Sequence, residues 1–167
     1  MPALALTDTN NMFAALEFSV AMSGAGIQPI IGCQVDLEYV QPQPGEKPRA
    51  PAPVVLLAQS ERGYEHLMKL NSCLYLDKGG ALPQVTLQEL TQHAEDVICL
   101  TGGPEGPVGM LLQNNQRPAA EAFMKQLHAA FGDRLYIELQ RHPGESGAPE
   151  VERQTERGVV EMASAMD

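Results

Sequence analysis

The chain has 167 residues, 44% of them apolar and 19% charged, which is enough for one domain with a full core and argues against disorder. Its net charge is −10, from 11 Lys plus Arg against 21 Asp plus Glu, so no basic stripe is available to neutralise nucleic-acid phosphates. The apolar runs, such as 54–58, are far too short to cross a bilayer, and no basic segment followed by an apolar one opens the chain.

In chain order, Ala3 to Thr7 reads as a buried parallel strand that ends on the polar run Asp8-Thr9-Asn10-Asn11. Asn10 or Asn11 is placed to cap a helix through about Ser23, with Phe13, Leu16, Val20 and Met22 as its apolar face and Gly24-Ala25-Gly26 as its stop. Residues 27–39 form a strand region that alternates at Val35, Leu37 and Tyr39. The proline-rich stretch 41–53 predicts a surface loop joining this strand in hairpin fashion to the strand 54–58.

Ser60 then caps a helix to about Leu76, with Tyr64, Leu67, Met68, Leu70 and Leu74 facing the core. Thr86-Leu87-Gln88-Glu89 is a capping box for a short helix to His93. Val97 to Leu100 is a strand closed by Thr101-Gly102-Gly103. Val108 to Gln113 is a short helix, and Pro118 opens a longer one that ends at Phe131-Gly132. Leu135 to Leu139 is a further strand, followed by a loop from His142 to Gly147 and a helix from Glu150 to Ala165. This alternation predicts an α/β fold with mainly parallel strands, whose site lies at the strand ends.

Most local motifs carry no chemistry. Cys33, Cys73 and Cys99 are odd in number and contain no CxxC, which fits free thiols in a reducing cytoplasm, with Cys33 and Cys99 buried as small hydrophobes. The Thr101-Gly102-Gly103-Pro104-Glu105-Gly106-Pro107 turn lacks the Gly-Lys-Ser/Thr of a phosphate loop, and its prolines remove two amide donors. His66, His93 and His128 lie on helices with no partner at ligand spacing. Glu150, Glu152, Glu156 and Glu161 read as the solvated face of the last helix.

Three blocks in register carry a more specific signal. They are Ala3-Leu4-Ala5-Leu6-Thr7-Asp8 with Asn11 and Ala25-Gly26-Ile27-Gln28-Pro29-Ile30-Ile31-Gly32-Cys33; Leu56-Leu57-Ala58-Gln59-Ser60-Glu61-Arg62-Gly63-Tyr64 with Leu67-Met68-Lys69-Leu70; and Phe131-Gly132-Asp133-Arg134-Leu135-Tyr136-Ile137-Glu138-Leu139-Gln140. In this order they resemble the PHP (polymerase and histidinol phosphatase) domain at the N-terminus of bacterial DNA polymerase III alpha subunits, across essentially all of 1–167. The resemblance implies one segment of a distorted β/α barrel, with the first and last strands outside the sequence and the polymerase domains beyond its C-terminus. Both ends of the chain read as cut, in agreement with this.

The resemblance also implies a metal site whose ligands are mostly missing here. Where the family pattern has a His after Thr-Asp, this chain has Thr9, next to Asp8; where it has a Glu after Gly-Cys, this chain has Gln34. A further ligand position falls near Thr101-Gly102-Gly103, and the glycines have nothing to donate. His142 matches a family ligand position and is the one evident survivor, with a surface loop histidine as its plain alternative. Asp8 has an equally plain reading as a residue that caps the following helix or ties down the loop. Hard divalent ions need anionic oxygens and neutral imidazoles, so no metal or other cofactor is expected in this segment.

The implied role is DNA replication, with DNA-directed synthesis and its Mg²⁺ placed elsewhere in a longer polypeptide, which would also carry the contacts to DNA. This segment would have a structural or docking role toward the proofreading exonuclease subunit and other replicase subunits. A dimer of the segment is a further expectation, because missing edge strands leave open sheet edges. The competing reading is an active metal-dependent PHP phosphoesterase or 3′–5′ exonuclease.

Overall fold

The computed structural model describes residues 1–40, 49–76, 82–142 and 150–166. Five strands, β1 (Ala3–Thr9), β2 (Gln28–Leu37), β3 (Ala52–Ala58), β4 (Val97–Leu100) and β5 (Leu135–Tyr136), form one sheet in the order β1-β2-β3-β4-β5. β1 pairs with β2 in parallel, β3 is antiparallel to both neighbours, and β4 pairs with β5 in parallel. Four strands therefore run one way and β3 alone is reversed, so the α/β expectation holds with one antiparallel strand in the middle. Among the described residues the sheet is open, with β1 and β5 at its edges, so the expected barrel character of the segment is not shown.

Alternation along the strands separates two faces. Cys33, Val35, Leu37, Val54, Leu56, Val97 and Cys99 are buried beneath helices, as expected for both cysteines. The covering helices are α2 (Glu61–Cys73), α3 (Leu87–Gln92), α4 (Pro107–Gln113), α5 (Arg117–Phe131) and α6 (Glu150–Ser164). They contribute Leu67, Leu70, Leu90, Val108, Leu111, Met124, Leu127, Val159 and Met162 to the same core. The opposite sheet face, which carries Gln34, Val55 and Leu100, stays half-exposed.

The local signals in the sequence account for most helix starts. Ser60 accepts a hydrogen bond from the Gly63 amide at the start of α2, and Thr86 with Glu89 forms the full capping box of α3. Ser60 Oγ also donates to Asp96 Oδ2 at 2.7 Å, joining the N-terminus of α2 to the start of β4. Gly63 lies so close to this junction that a Cβ would come within 2.0 Å of the Asp96 carbonyl oxygen.

Several expectations need correction. β2 ends at Leu37 instead of Tyr39, α2 ends at Cys73 instead of Leu76, and β5 covers only Leu135–Tyr136. β3 begins at Ala52, inside the stretch expected to be a loop; residues 41–48 of that stretch lie outside the described residues. The antiparallel register Leu37↔Ala52 bears out the hairpin-like connection.

The largest correction concerns α1 (Ala15–Gly24). Its N-cap is Ala14, with no side-chain hydrogen bond, so neither Asn10 nor Asn11 caps it. Its expected core face is exposed: Phe13 is 91%, Leu16 75% and Val20 66% accessible, and Ala15 is the buried residue of the helix. Helical spacing could not show that α1 turns Ala15 inward, with Phe18, Ser19 and Met22 half-buried beside it. No helix among the described residues is long and apolar enough to cross a membrane.

Exposure sets the energetic ranking of these positions. Leu16→Gln is expected to change the unfolding free energy by less than about 0.5 kcal/mol. Leu67→Ala, at a site 1% exposed, is expected to cost about 2–5 kcal/mol through lost burial and the cavity left behind. Urea denaturation of the two variants in parallel checks this.

Candidate functional site at the strand ends

One row of residues crosses the whole sheet: Thr9 opposite Gln34, Gln34 opposite Val55, Val55 opposite Leu100, and Leu100 opposite Tyr136. Four of these lie at or near the C-terminal ends of their strands, the edge at which α/β folds assemble sites. Thr9 and Gln34 are thus brought together as their sequence positions suggested, and Gln34 Nε2 donates to Thr9 Oγ1 at 3.3 Å. The amide and the hydroxyl satisfy one another, and neither carries a negative charge.

The adjacent row places Asp8 opposite Cys33, on the other face of the sheet. Alternation therefore separates Asp8 from the Thr9–Gln34 pair. The Asp8 carboxylate makes no hydrogen bond among the described residues and caps no helix, contrary to its plain reading; its carbonyl oxygen accepts from Cys33 Sγ at 3.4 Å. Cys33 Sγ also lies 3.3 Å from the Asn11 carbonyl oxygen. Burial pushes this thiol up to about 11, so it stays protonated and donates to the loop instead of offering a thiolate.

Asn10 holds the loop after β1. It adopts a left-handed conformation (φ 56°), which asparagine tolerates better than most residues. Its amide group bonds Asp36 twice, through Nδ2 to Oδ2 at 2.9 Å and by accepting the Asp36 amide at Oδ1 at 2.9 Å. Its backbone N–H donates to the Gln34 carbonyl at 2.8 Å, and its carbonyl accepts from Tyr75 Oη at 2.8 Å. Sequence reading assigned Asn10 to a cap and missed this latch, which depends on the β1–β2 register.

The Thr101 turn explains its glycines. Gly102 has φ +77°, and a Cβ there would lie 2.0 Å from the Pro53 carbonyl oxygen, so the position has no room for any side chain. Gly103 packs against the Gln140 side chain, and Thr101 Oγ1 accepts from the Glu138 amide at 3.1 Å.

His142 follows β5 and is fixed by α6. Its backbone N–H donates to Glu152 Oε2 at 3.0 Å, and its ring Nδ1 lies 2.5 Å from Glu152 Oε1. An ionised carboxylate only accepts, so Nδ1 carries the proton and Nε2 is left for another partner. Glu152 is 7% exposed, which corrects its assignment to a solvated face. The other three acids do lie outward, paired in turn: Glu150 with Arg153, Glu156 with Arg141, and Glu161 with Arg157 and Arg117. Among the described residues no hydrogen bond joins His142 to Asp8, Thr9 or Gln34, and no three His, Cys, Asp or Glu side chains converge as a metal site. The donors at the strand ends do not fit a cluster of hard divalent ions.

The profile of the PHP domain matches residues 1–142. The chain belongs to the PHP domain family. It is 44% identical over 145 residues to a DNA polymerase III subunit alpha from Caulobacter vibrioides, covering 85% of this chain and 12% of that protein. A protein of the same name from Treponema pallidum is 39% identical over 148 residues, covering 84% of this chain and 12% of its own length. Another from Rickettsia prowazekii is 32% identical over 167 residues, covering 99% of this chain and 13% of its own. This PHP chain thus spans about an eighth of the length of these relatives, and the last similarity includes α6, which the domain profile leaves out.

Two outcomes follow from the loop and from α6. Asn10→Gly keeps the left-handed backbone but loses both bonds to Asp36, whereas Asn10→Ala adds strain to the same loss. Asn10→Ala is expected to be the less stable by about 1 kcal/mol in urea denaturation.

The second outcome concerns pH. The His142 ring, with its backbone N–H, holds the Glu152 carboxyl below its ordinary value of 4.5. Arg153, Arg141 and Arg157 do the same to Glu150, Glu156 and Glu161. A depressed carboxylate stabilises the fold above its unfolded value and loses that contribution as pH falls through the folded one. The thermal midpoint is therefore expected to fall as pH drops below about 4.5, with a shallower fall in Glu152→Gln.

Proposed function

We propose that this chain is the PHP segment of a replicative DNA polymerase III alpha subunit, that its strand-end site is metal-free, and that it serves as a structural and docking module. The observation that carries this reading is the Thr9–Gln34 pair, two neutral side chains bonded to each other at the strand ends where a metal site would need carboxylate and imidazole. The polar latch from Asn10 to Asp36 holds the β1–β2 loop without an ion. Gly102 leaves no room for a ligand on the neighbouring turn.

In this reading the process is DNA replication in the cytoplasm. DNA-directed synthesis, its Mg²⁺ and the contacts to DNA belong to other parts of a longer chain, consistent with the acidity of this segment. The docked partners are the proofreading exonuclease subunit and other replicase subunits, and the exposed apolar stripe Phe13–Leu16–Val20 is compatible with such a covered surface.

A second reading, a metal-dependent phosphoesterase or 3′–5′ exonuclease, draws on one observation. The carboxylate of Glu152 on His142 Nδ1 is the arrangement that orients a metal-binding imidazole through its other nitrogen. Among the described residues no group of three His, Cys, Asp or Glu side chains converges there to hold an ion.

The deciding experiment measures bound Mn²⁺ and Mn²⁺- or Zn²⁺-dependent phosphoesterase activity of the intact polypeptide, beside a Thr9→His plus Gln34→Glu variant. The natural protein is expected to hold no stoichiometric Mn²⁺ and to cleave nothing, while the variant gains Mn²⁺ affinity. Stoichiometric Mn²⁺ and phosphoester cleavage by the natural protein would overturn the proposal in favour of the second reading.

A further inference from the structure

The sequence leaves His66 and His93 apart, one on α2 and the other at the C-terminal cap of α3. The fold brings them together. Their Nδ1 atoms face each other at 3.3 Å, with ring centroids 5.5 Å apart and planes tilted by 51°. Both residues are half-buried. The pair lies by the start of β4, at the other end of that strand from the Thr9–Gln34 row, and owes nothing to the strand-end site.

We propose that His66 and His93 form a two-histidine clip for a divalent ion that favours imidazole nitrogen, with Zn²⁺ as the type case and Mn²⁺, which favours oxygen ligands, excluded. A tetrahedral zinc ion with Zn–N bonds of about 2.0–2.1 Å holds two ligand nitrogens about 3.3 Å apart. The observed separation is therefore already that of two ligands on one ion, and α2 and α3 need not move. With no ion, one ring must donate its Nδ1 proton to the other. With the ion, the donating ring changes tautomer, giving its Nδ1 proton to solvent and taking one up at Nε2, so no net proton is released and both Nδ1 lone pairs are free for the metal, with water completing the shell.

The surroundings set the strength and the selectivity. Lys69 opposes added positive charge beside His93, and Glu89 favours it. Arg62 and Glu95, on the same two segments, neutralise each other at 2.8 Å. Imidazole nitrogens suit Zn²⁺, Ni²⁺ and Cu²⁺, whereas Mg²⁺ prefers carboxylate, carbonyl and water oxygens. The clip is thus chemically distinct from any polymerase magnesium site.

The test titrates Zn²⁺ alone into the intact polypeptide in a Mg²⁺-containing buffer, by calorimetry, with His66→Gln, His93→Gln, His142→Ala and Lys69→Gln in parallel. The glutamines keep hydrogen-bonding capacity between α2 and α3, and the thermal midpoint of each variant without zinc reports its folding. One zinc equivalent is expected to weaken by more than about tenfold in both histidine-to-glutamine variants, a loss at least as large as outer-shell changes produce. It is expected to be unchanged in His142→Ala and to tighten in Lys69→Gln. Zinc binding that is absent from the natural protein, or that survives in either glutamine variant, overturns the clip. Loss of the same equivalent in His142→Ala would also overturn it and assign the ion to the strand-end site.

Discussion

The parallel register of β1 on β2 is the constraint from which the rest of the strand-end architecture follows. It sets Thr9 beside Gln34 and Asp8 beside Cys33, and so distributes adjacent residues of one polar run to opposite faces of the sheet. A slip of one residue would either turn Cys33 out of the core or bring Asp8 to the open face, because side chains alternate with a period of two. The bonds from Asn10 to Asp36 and to the Gln34 carbonyl fix that register at its end. The site and the core are therefore two consequences of one pairing.

The polar groups along this edge are satisfied mainly by one another. Gln34 bonds Thr9, Asn10 bonds Asp36, Tyr75 closes on the Asn10 carbonyl, and Glu152 takes both the ring and the backbone of His142. Side-chain and backbone pairing of this kind does the organising work that ligand-to-ion bonds perform in a metal centre. Each bond is modest alone, of the order of 1 kcal/mol, but a half-buried polar group left without a partner costs more than the bond is worth. The edge is stable as a mutually bonded set and sensitive to the removal of any member. Arg134, which donates to the Val97 carbonyl at 2.8 Å, extends the same logic to the far end of β4.

The uncovered surfaces have a different origin. α1 meets the sheet through Ala15 and leaves Phe13, Leu16 and Val20 outside, while the opposite sheet face keeps Val55 and Leu100 half-exposed. Apolar groups of this size are normally withdrawn from water, at about 25 cal/mol per Å². The chain spans about an eighth of the length of relatives such as the Caulobacter vibrioides protein.

What the sequence determined by itself was local and periodic. Ser60 and Thr86-Glu89 located helix starts, alternation at Val35 and Leu37 located a half-buried strand, and apolar context placed Cys33 and Cys99 inside. These signals act over a few residues, where backbone hydrogen bonding and side-chain spacing decide the outcome. Motif order also placed Thr9 and Gln34 at equivalent strand ends. Only the tertiary structure decided which faces are covered: periodicity alone points Leu16 and Val20 of α1 inward and Glu152 outward, and packing reverses both. Only it could bring His66 to His93 across 27 residues, since helix periodicity relates side chains within one helix and says nothing about which helix packs beside it.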